Sequence, residues 1–178
     1  MGLPININTK TQWVYTYGGR FQEYWNAESI PDPYPLPRID DLFEQVGKAK
    51  YLIKLDASKW YWAVPMEEES IPYPAFVTPH GHFEWRYMAF GLRTGFSTYQ
   101  RLMHTLFKGC ATFARSYLDD IVISSELWED HKHFEIVFKH IRDAQLKLNK
   151  NKCTFGSATI EYLGHKVVLN KIETERSR

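Results

Sequence analysis

Ser116-Tyr117-Leu118-Asp119-Asp120-Ile121-Val122-Ile123 sets two adjacent carboxylates between two short apolar runs. Residues 112–117 before them and 121–124 after them are β-branched or aromatic enough for strands, and the acidic pair is too short for a loop. The spacing predicts a hairpin with carboxylates at its tip. Taken alone, an Asp-Asp tip reads as a solvated turn, because Asp favours turns. Two features point elsewhere. The apolar flanks imply that the turn rests on a core, and a third carboxylate, Asp56, closes a second apolar strand over residues 51–56. Lone acids at buried strand ends are uncommon unless something pairs with them. Carboxylates converging from two strands repel unless cations lie between them, and oxygen-only ligands of this kind suit Mg²⁺. A two-metal site about 3.5–4 Å across would activate an attacking oxygen and stabilise a leaving one in a phosphoryl displacement.

Composition bounds the possibilities. With 178 residues, 44% of them hydrophobic and 16% aromatic, the chain can bury a core as one domain or as two subdomains sharing one. A net charge of +1 does not announce a nucleic-acid partner. Split at residue 89, however, Lys+Arg stand at 8 against 11 Asp+Glu (−3) and then at 14 against 10 (+4). That asymmetry fits a solvated face as well as a phosphate-binding one. Cys110 and Cys153 have no paired spacing, which suits reduced thiols in an intracellular protein better than a disulfide or zinc framework. No signal peptide or long apolar segment appears, so neither secretion nor a membrane is expected.

Tyr117-Leu118-Asp119-Asp120 resembles the catalytic box of reverse transcriptases, and its surroundings resemble the Ty3/gypsy class of LTR retrotransposon Pol polyproteins. The supporting blocks are Tyr34-Pro35-Leu36-Pro37-Arg38-Ile39-Asp40-Asp41-Leu42, Lys54-Leu55-Asp56, Gly81-His82-Phe83-Glu84, Phe90-Gly91-Leu92, Gln100-Arg101-Leu102-Met103 and Tyr162-Leu163-Gly164-His165. They stand in the family's order between about residues 26 and 168. The resemblance implies an α+β polymerase palm, an antiparallel sheet with helices packed on one face, plus partial fingers. Its implied domains are a divergent finger remnant over residues 1–30, the palm and fingers over 31–170 and a tail over 171–178. By the same resemblance, the thumb, connection and RNase H regions of a complete Pol enzyme are expected to be missing.

The implied function is RNA-directed and DNA-directed DNA synthesis, in which a primer 3′-oxygen attacks a dNTP. Asp56, Asp119 and Asp120 are then the catalytic carboxylates and the ligands of Mg²⁺ or Mn²⁺. Nucleotide contacts fall to Ala57, Tyr61, Phe90 and Gly91, and primer contacts to Tyr117, Leu163 and Gly164. Tyr61 lies where an aromatic ring would crowd a 2′-hydroxyl, although Trp60, Tyr61 and Trp62 also read as hydrophobic cover. Backbone amides over residues 57–60 are further candidates for phosphate oxygens. Partners would be an RNA or DNA template with its primer, and dNTPs.

Several positions depart from the family. Arg20 is the one basic candidate for the triphosphate in an altered N-terminus, where residues 13–17 also read as a strand. Ala89 replaces a usual proline, and Gly95-Phe96 replaces a usual Ala-Pro pair. These departures keep an alternative open: a truncated, transposon-derived fragment that folds without catalysing and at most binds nucleic acid or protein. A nucleotidyltransferase or nuclease with the same acids would not require the Tyr162-Leu163-Gly164-His165 block.

The remaining periodicity predicts helices over residues 38–46, from a Ser97 cap to about Phe107, and from Trp128 to about Ala144. The last carries His131, His133 and His140, which without a companion Cys or carboxylate read as surface residues. Hairpins are expected over 74–88 and 159–169.

Overall fold

The computed structural model describes residues 29–127, 130, 132–168 and 171–174. The expectations at Trp13 to Tyr17, Arg20, Trp128, His131, Leu169 and the tail beyond 174 lie outside the described residues. Nine strands occur among the described residues: β1 (Tyr51–Asp56), β2 (Phe76–Thr78), β3 (Gly81–Phe83), β4 (Ala114–Tyr117), β5 (Asp120–Ser125), β6 (Thr154–Ser157), β7 (Thr159–Tyr162), β8 (His165–Val168) and β9 (Lys171–Thr174). The longer helices are Ile39–Gly47, Gly95–Leu106 and Lys132–Asp143. The chain divides into two compact units, one holding residues up to 34 and 59–99, the other 35–58 and 100 onward.

The second unit is built on an antiparallel sheet in the order β4-β5-β1-β6. Ile121, Val122 and Ile123 in succession are buried, as a strand covered on both faces requires. β1 pairs with β5 so that Lys54 faces Val122 and Asp56 faces Asp120. Side chains alternate along a strand, so Leu52, Lys54, Asp56, Asp120 and Val122 share one face. On that face Leu52 and Val122 join Leu42, Phe43 and Val46 of helix Ile39–Gly47 and Ile160, Tyr162 and Val167 of the β7-β8-β9 sheet in one buried cluster. Phe43 meets Tyr162 edge to face at 6.1 Å. The helix forms because Leu42, Phe43 and Val46 recur on one stripe, with Asp40 and Asp41 in its first turn where the helix dipole favours anions.

In the first unit, Phe76 and Phe83 stack at 5.6 Å across the β2–β3 hairpin. The one-turn helix Trp60–Ala63 packs into an aromatic group. Tyr61 lies 3.7 Å from Trp60 and 4.4 Å from Phe90, and Trp60 lies 4.5 Å from Tyr99.

Two boundaries differ from expectation, and two strands were not expected. The helix expected from a Ser97 cap starts at Gly95, because a Gly95 N–H to Leu92 carbonyl turn at 2.9 Å delivers the chain into it two residues earlier. The 74–88 hairpin shortens to three-residue strands on either side of Pro79 and His80. β6 and β9 did not stand out in the sequence; β6 is short, contains Gly156 at φ +57° and becomes a strand only by pairing with β1.

Candidate active site

The acidic hairpin forms where expected. β4 and β5 pair with Tyr117 opposite Asp120, which puts Leu118 and Asp119 in the turn and Asp120 on the first residue of β5. Leu118 takes a left-handed φ of +51°, a conformation L-residues with large side chains avoid. It is held there by Gln100, a fully buried residue whose Oε1 accepts from the Leu118 N–H at 2.9 Å and whose Nε2 donates to the Ser116 carbonyl at 3.1 Å. One side-chain amide thereby saturates the inner backbone of the hairpin.

Asp56 ends β1 and is 6% exposed. The next residue locks the strand end to the hairpin, since the Ala57 N–H donates to the Asp119 carbonyl at 2.8 Å. The Ser58 N–H donates to Lys147 at 2.7 Å. Those two amides are thus engaged inside the protein. Asp56, Asp119 and Asp120 line one cavity of about 680 Å³ together with Lys54, Lys152 and Lys166.

Two of the three carboxylates carry a lysine. Lys54 Nζ reaches Asp120 at 3.1 Å with both side chains 19% exposed, and Lys152 Nζ reaches Asp56 at 3.2 Å. Lys152 is delivered by the one-turn helix Lys150–Lys152. The Asn149 N–H donates to the Asp56 carbonyl at 2.9 Å, and the Asn149 side chain accepts from the Asn151 N–H at 3.3 Å. Asp119 makes no ion pair among the described residues, and its carboxyl is held above its ordinary range, chiefly by burial and further by the charges of Asp120 and Asp56. With Glu161 also on the lining, four acidic residues face the three lysines Lys54, Lys152 and Lys166, which leaves the site short of a cation.

Among the described residues no three acidic, His or Cys side chains converge as a ready-made metal cage. The donor set nevertheless fits Mg²⁺ or Mn²⁺, which binds through one or two carboxylates and takes its remaining ligands from water and phosphate. Asp56 and Asp119 fit this best, because the lysine on Asp120 is largely shielded from solvent on the neighbouring strand, whereas the one on Asp56 is 64% exposed.

The other expected positions fall as follows. In the second unit, Tyr117 and Leu163 both pack against the cluster around Tyr162. Leu163 and Gly164 take φ of +50° and +75° in the β7–β8 turn, which a two-residue hairpin of this hand demands. Tyr162 is fully buried with no hydrogen-bond partner for its hydroxyl among the described residues, and burial together with Asp120 and Tyr117 raises its pKa far above the ordinary range. In the first unit, Tyr61 is buried, Phe90 is 54% exposed and Gly91 takes φ +85°. An added Cβ at Gly95 would stand 2.8 Å from the Tyr61 ring.

Sequence reading missed three working residues. Gln100 was legible only as part of a motif block. Lys54 was visible as the lone charge inside an apolar strand, two residues before Asp56. Lys152 looked like one member of a basic surface cluster, and nothing local marks it as a carboxylate partner 96 residues away.

A family profile described as reverse transcriptase (RNA-dependent DNA polymerase) matches residues 21–167. The chain is 38% identical over 150 residues to the retrovirus-related Pol polyprotein from transposon 297 of Drosophila melanogaster, covering 83% of the chain and 14% of that protein. It is 36% identical over 167 residues to polyprotein P3 of Commelina yellow mottle virus, covering 93% of the chain and 9% of that protein. The chain therefore spans a small part of the curated relatives it matches. Among solved structures, the foamy viral protease-reverse transcriptase in complex with double-stranded DNA superposes with a TM-score of 0.80 at 20% identity, over 86% of this chain and 27% of that one. The same viral protein in complex with an RNA/DNA hybrid gives 0.77 at 20% identity, over 84% and 20%. At such identities the likeness is one of fold. No helix among the described residues is long and apolar enough to cross a membrane.

Proposed function

The chain belongs to the reverse transcriptase family, and from that premise we propose that its acidic strand ends serve RNA- or DNA-templated addition of dNTPs to a primer 3′ end. The observation that carries this reading is the register that sets Asp56 opposite Asp120, with the Ala57 N–H tied to the Asp119 carbonyl, so that all three acids line one cavity at that end of the sheet. A divalent cation bound by Asp56 and Asp119 would supply charge neutralisation for an attacking oxygen and a departing pyrophosphate. The chain's own residues do the rest by positioning. Gln100 fixes the hairpin that presents Asp119, and Lys54 holds Asp120 as a structural third carboxylate. Ala57, Tyr61, Phe90 and Gly91 are assigned to the nucleotide. Tyr117, Leu163 and Gly164 are assigned to the primer end, all within a catalytic region over residues 31–170.

A second reading is a folded but catalytically silent relative that at most binds nucleic acid or protein. It is favoured by the lysines already seated on Asp56 and Asp120. Primer extension on RNA and DNA templates, with Mg²⁺ or Mn²⁺ and dNTPs, separates the two. Extension by the chain that is lost in Asp119→Asn supports the polymerase reading; none by a chain shown to be folded leaves the silent one.

A further inference from the structure

The two lysines at the acidic site are held very differently. Lys54 sits inside β1 with backbone neighbours on both sides, Val122 of β5 and Thr154 of β6, and its pair with Asp120 is largely shielded from solvent. Lys152 lies outside the sheets on a single helical turn; its side chain is 64% exposed while that of Asp56 is 9% exposed. The first pair is part of the fold. The second places a solvated ammonium on a long flexible stem against a carboxylate with little access to water.

Resting on the polymerase reading above, we propose that Lys152 is a resident counter-cation of Asp56, which a divalent ion must displace, and that this lysine therefore sets the metal affinity of the site. Lys152 Nζ is bound to Asp56 Oδ2, on the residue that would hold the metal. A divalent cation and an ammonium drawn to that carboxylate repel each other. Exposed ion pairs are weak, so Lys152 yields to a divalent ion. While it stays, it relieves the repulsion among the three acids. The cavity of about 680 Å³ in front of the carboxylates gives the displaced side chain room. Lys54 remains in place, so Asp120 stays paired with or without metal.

The test is Mn²⁺ binding to the 178-residue chain, followed by electron paramagnetic resonance of the free ion without nucleic acid or nucleotide. Lys152→Met, Lys152→Gln, Lys152→Arg and Asp119→Asn are compared after circular dichroism has established that each is folded. Expected are a dissociation constant about fivefold lower in Lys152→Met and Lys152→Gln, little change in Lys152→Arg, and lost binding in Asp119→Asn. Lys166→Met, which removes a cavity lysine that is not ion-paired to these acids, controls for the general loss of positive charge and should shift binding less. Unchanged or weaker binding in both neutral Lys152 variants, with Asp119→Asn still abolishing it, overturns the displacement role and leaves the metal reading standing. No Mn²⁺ binding by any chain overturns both.

Discussion

The Leu118 N–H donates to the side-chain oxygen of Gln100 at 2.9 Å, so a buried amide on one helix holds the acidic turn in a left-handed conformation. A leucine at φ +51° costs about 1–2 kcal/mol relative to an ordinary backbone region, and that strain persists only where neighbours over-determine it. Gln100→Leu leaves the Leu118 N–H and the Ser116 carbonyl without their partner. The expected loss is about 1–3 kcal/mol in urea unfolding, together with lost primer extension. An unchanged unfolding midpoint would show that the turn is self-supporting.

Asp119 links stability to pH in the direction opposite to most native carboxylates. Burial, with Asp120 and Asp56, holds its folded-state pKa above the ordinary 3.8. The native state then keeps the proton to higher pH than the unfolded chain does, and ionising Asp119 opposes folding. That penalty is absent below the unfolded value, grows as pH rises toward the folded one and is complete above it. Asp119→Asn should therefore melt at a higher temperature than the parent at neutral pH, with the gap closing as pH falls below about 4. A variant that melts lower at pH 7 would contradict this.

Tyr162 should tolerate loss of its hydroxyl but not of its ring. The oxygen is buried without a hydrogen-bond partner among the described residues, while the ring lies in the main cluster of the second unit and meets Phe43 at 6.1 Å. An orphaned buried hydroxyl costs about 1–3 kcal/mol, so Tyr162→Phe is expected to be neutral or stabilising. Tyr162→Ala should lose about 3–5 kcal/mol. Thermal melts of the two variants side by side decide the matter; a strongly destabilised Tyr162→Phe would show that the hydroxyl has a partner.

Gly95→Ala would restore the residue usual in the resembled family, and in this chain it should do harm. The new Cβ stands 2.8 Å from Cε1 of the buried Tyr61 ring, which is itself stacked on Trp60. Overpacking of about 1–3 kcal/mol should outweigh the gain of about 1 kcal/mol from replacing glycine in a helix. A lowered melting temperature with an altered near-ultraviolet aromatic signal is expected. A raised one would mean that Tyr61 moves aside freely.

The acidic hairpin, the strand ending at Asp56 and the helix over residues 39–47 were legible in the sequence because each rests on local periodicity. Apolar alternation, a turn-forming acid pair and a three-to-four-residue stripe are written within a dozen residues. The family motifs were legible for the same reason. What tertiary structure alone decided is how the charges at the site are arranged. That Asp120 is tied to Lys54, that Asp56 is met by Lys152 across 96 positions, that the Ala57 amide is spent on Asp119 and that Gln100 braces Leu118 all depend on strand register and on contacts between distant segments. Residue identity marks each of these groups as charged or polar. Only the pairing of the strands brings them within hydrogen-bond distance, because electrostatic and hydrogen-bond partners are selected by spatial proximity and not by separation along the chain.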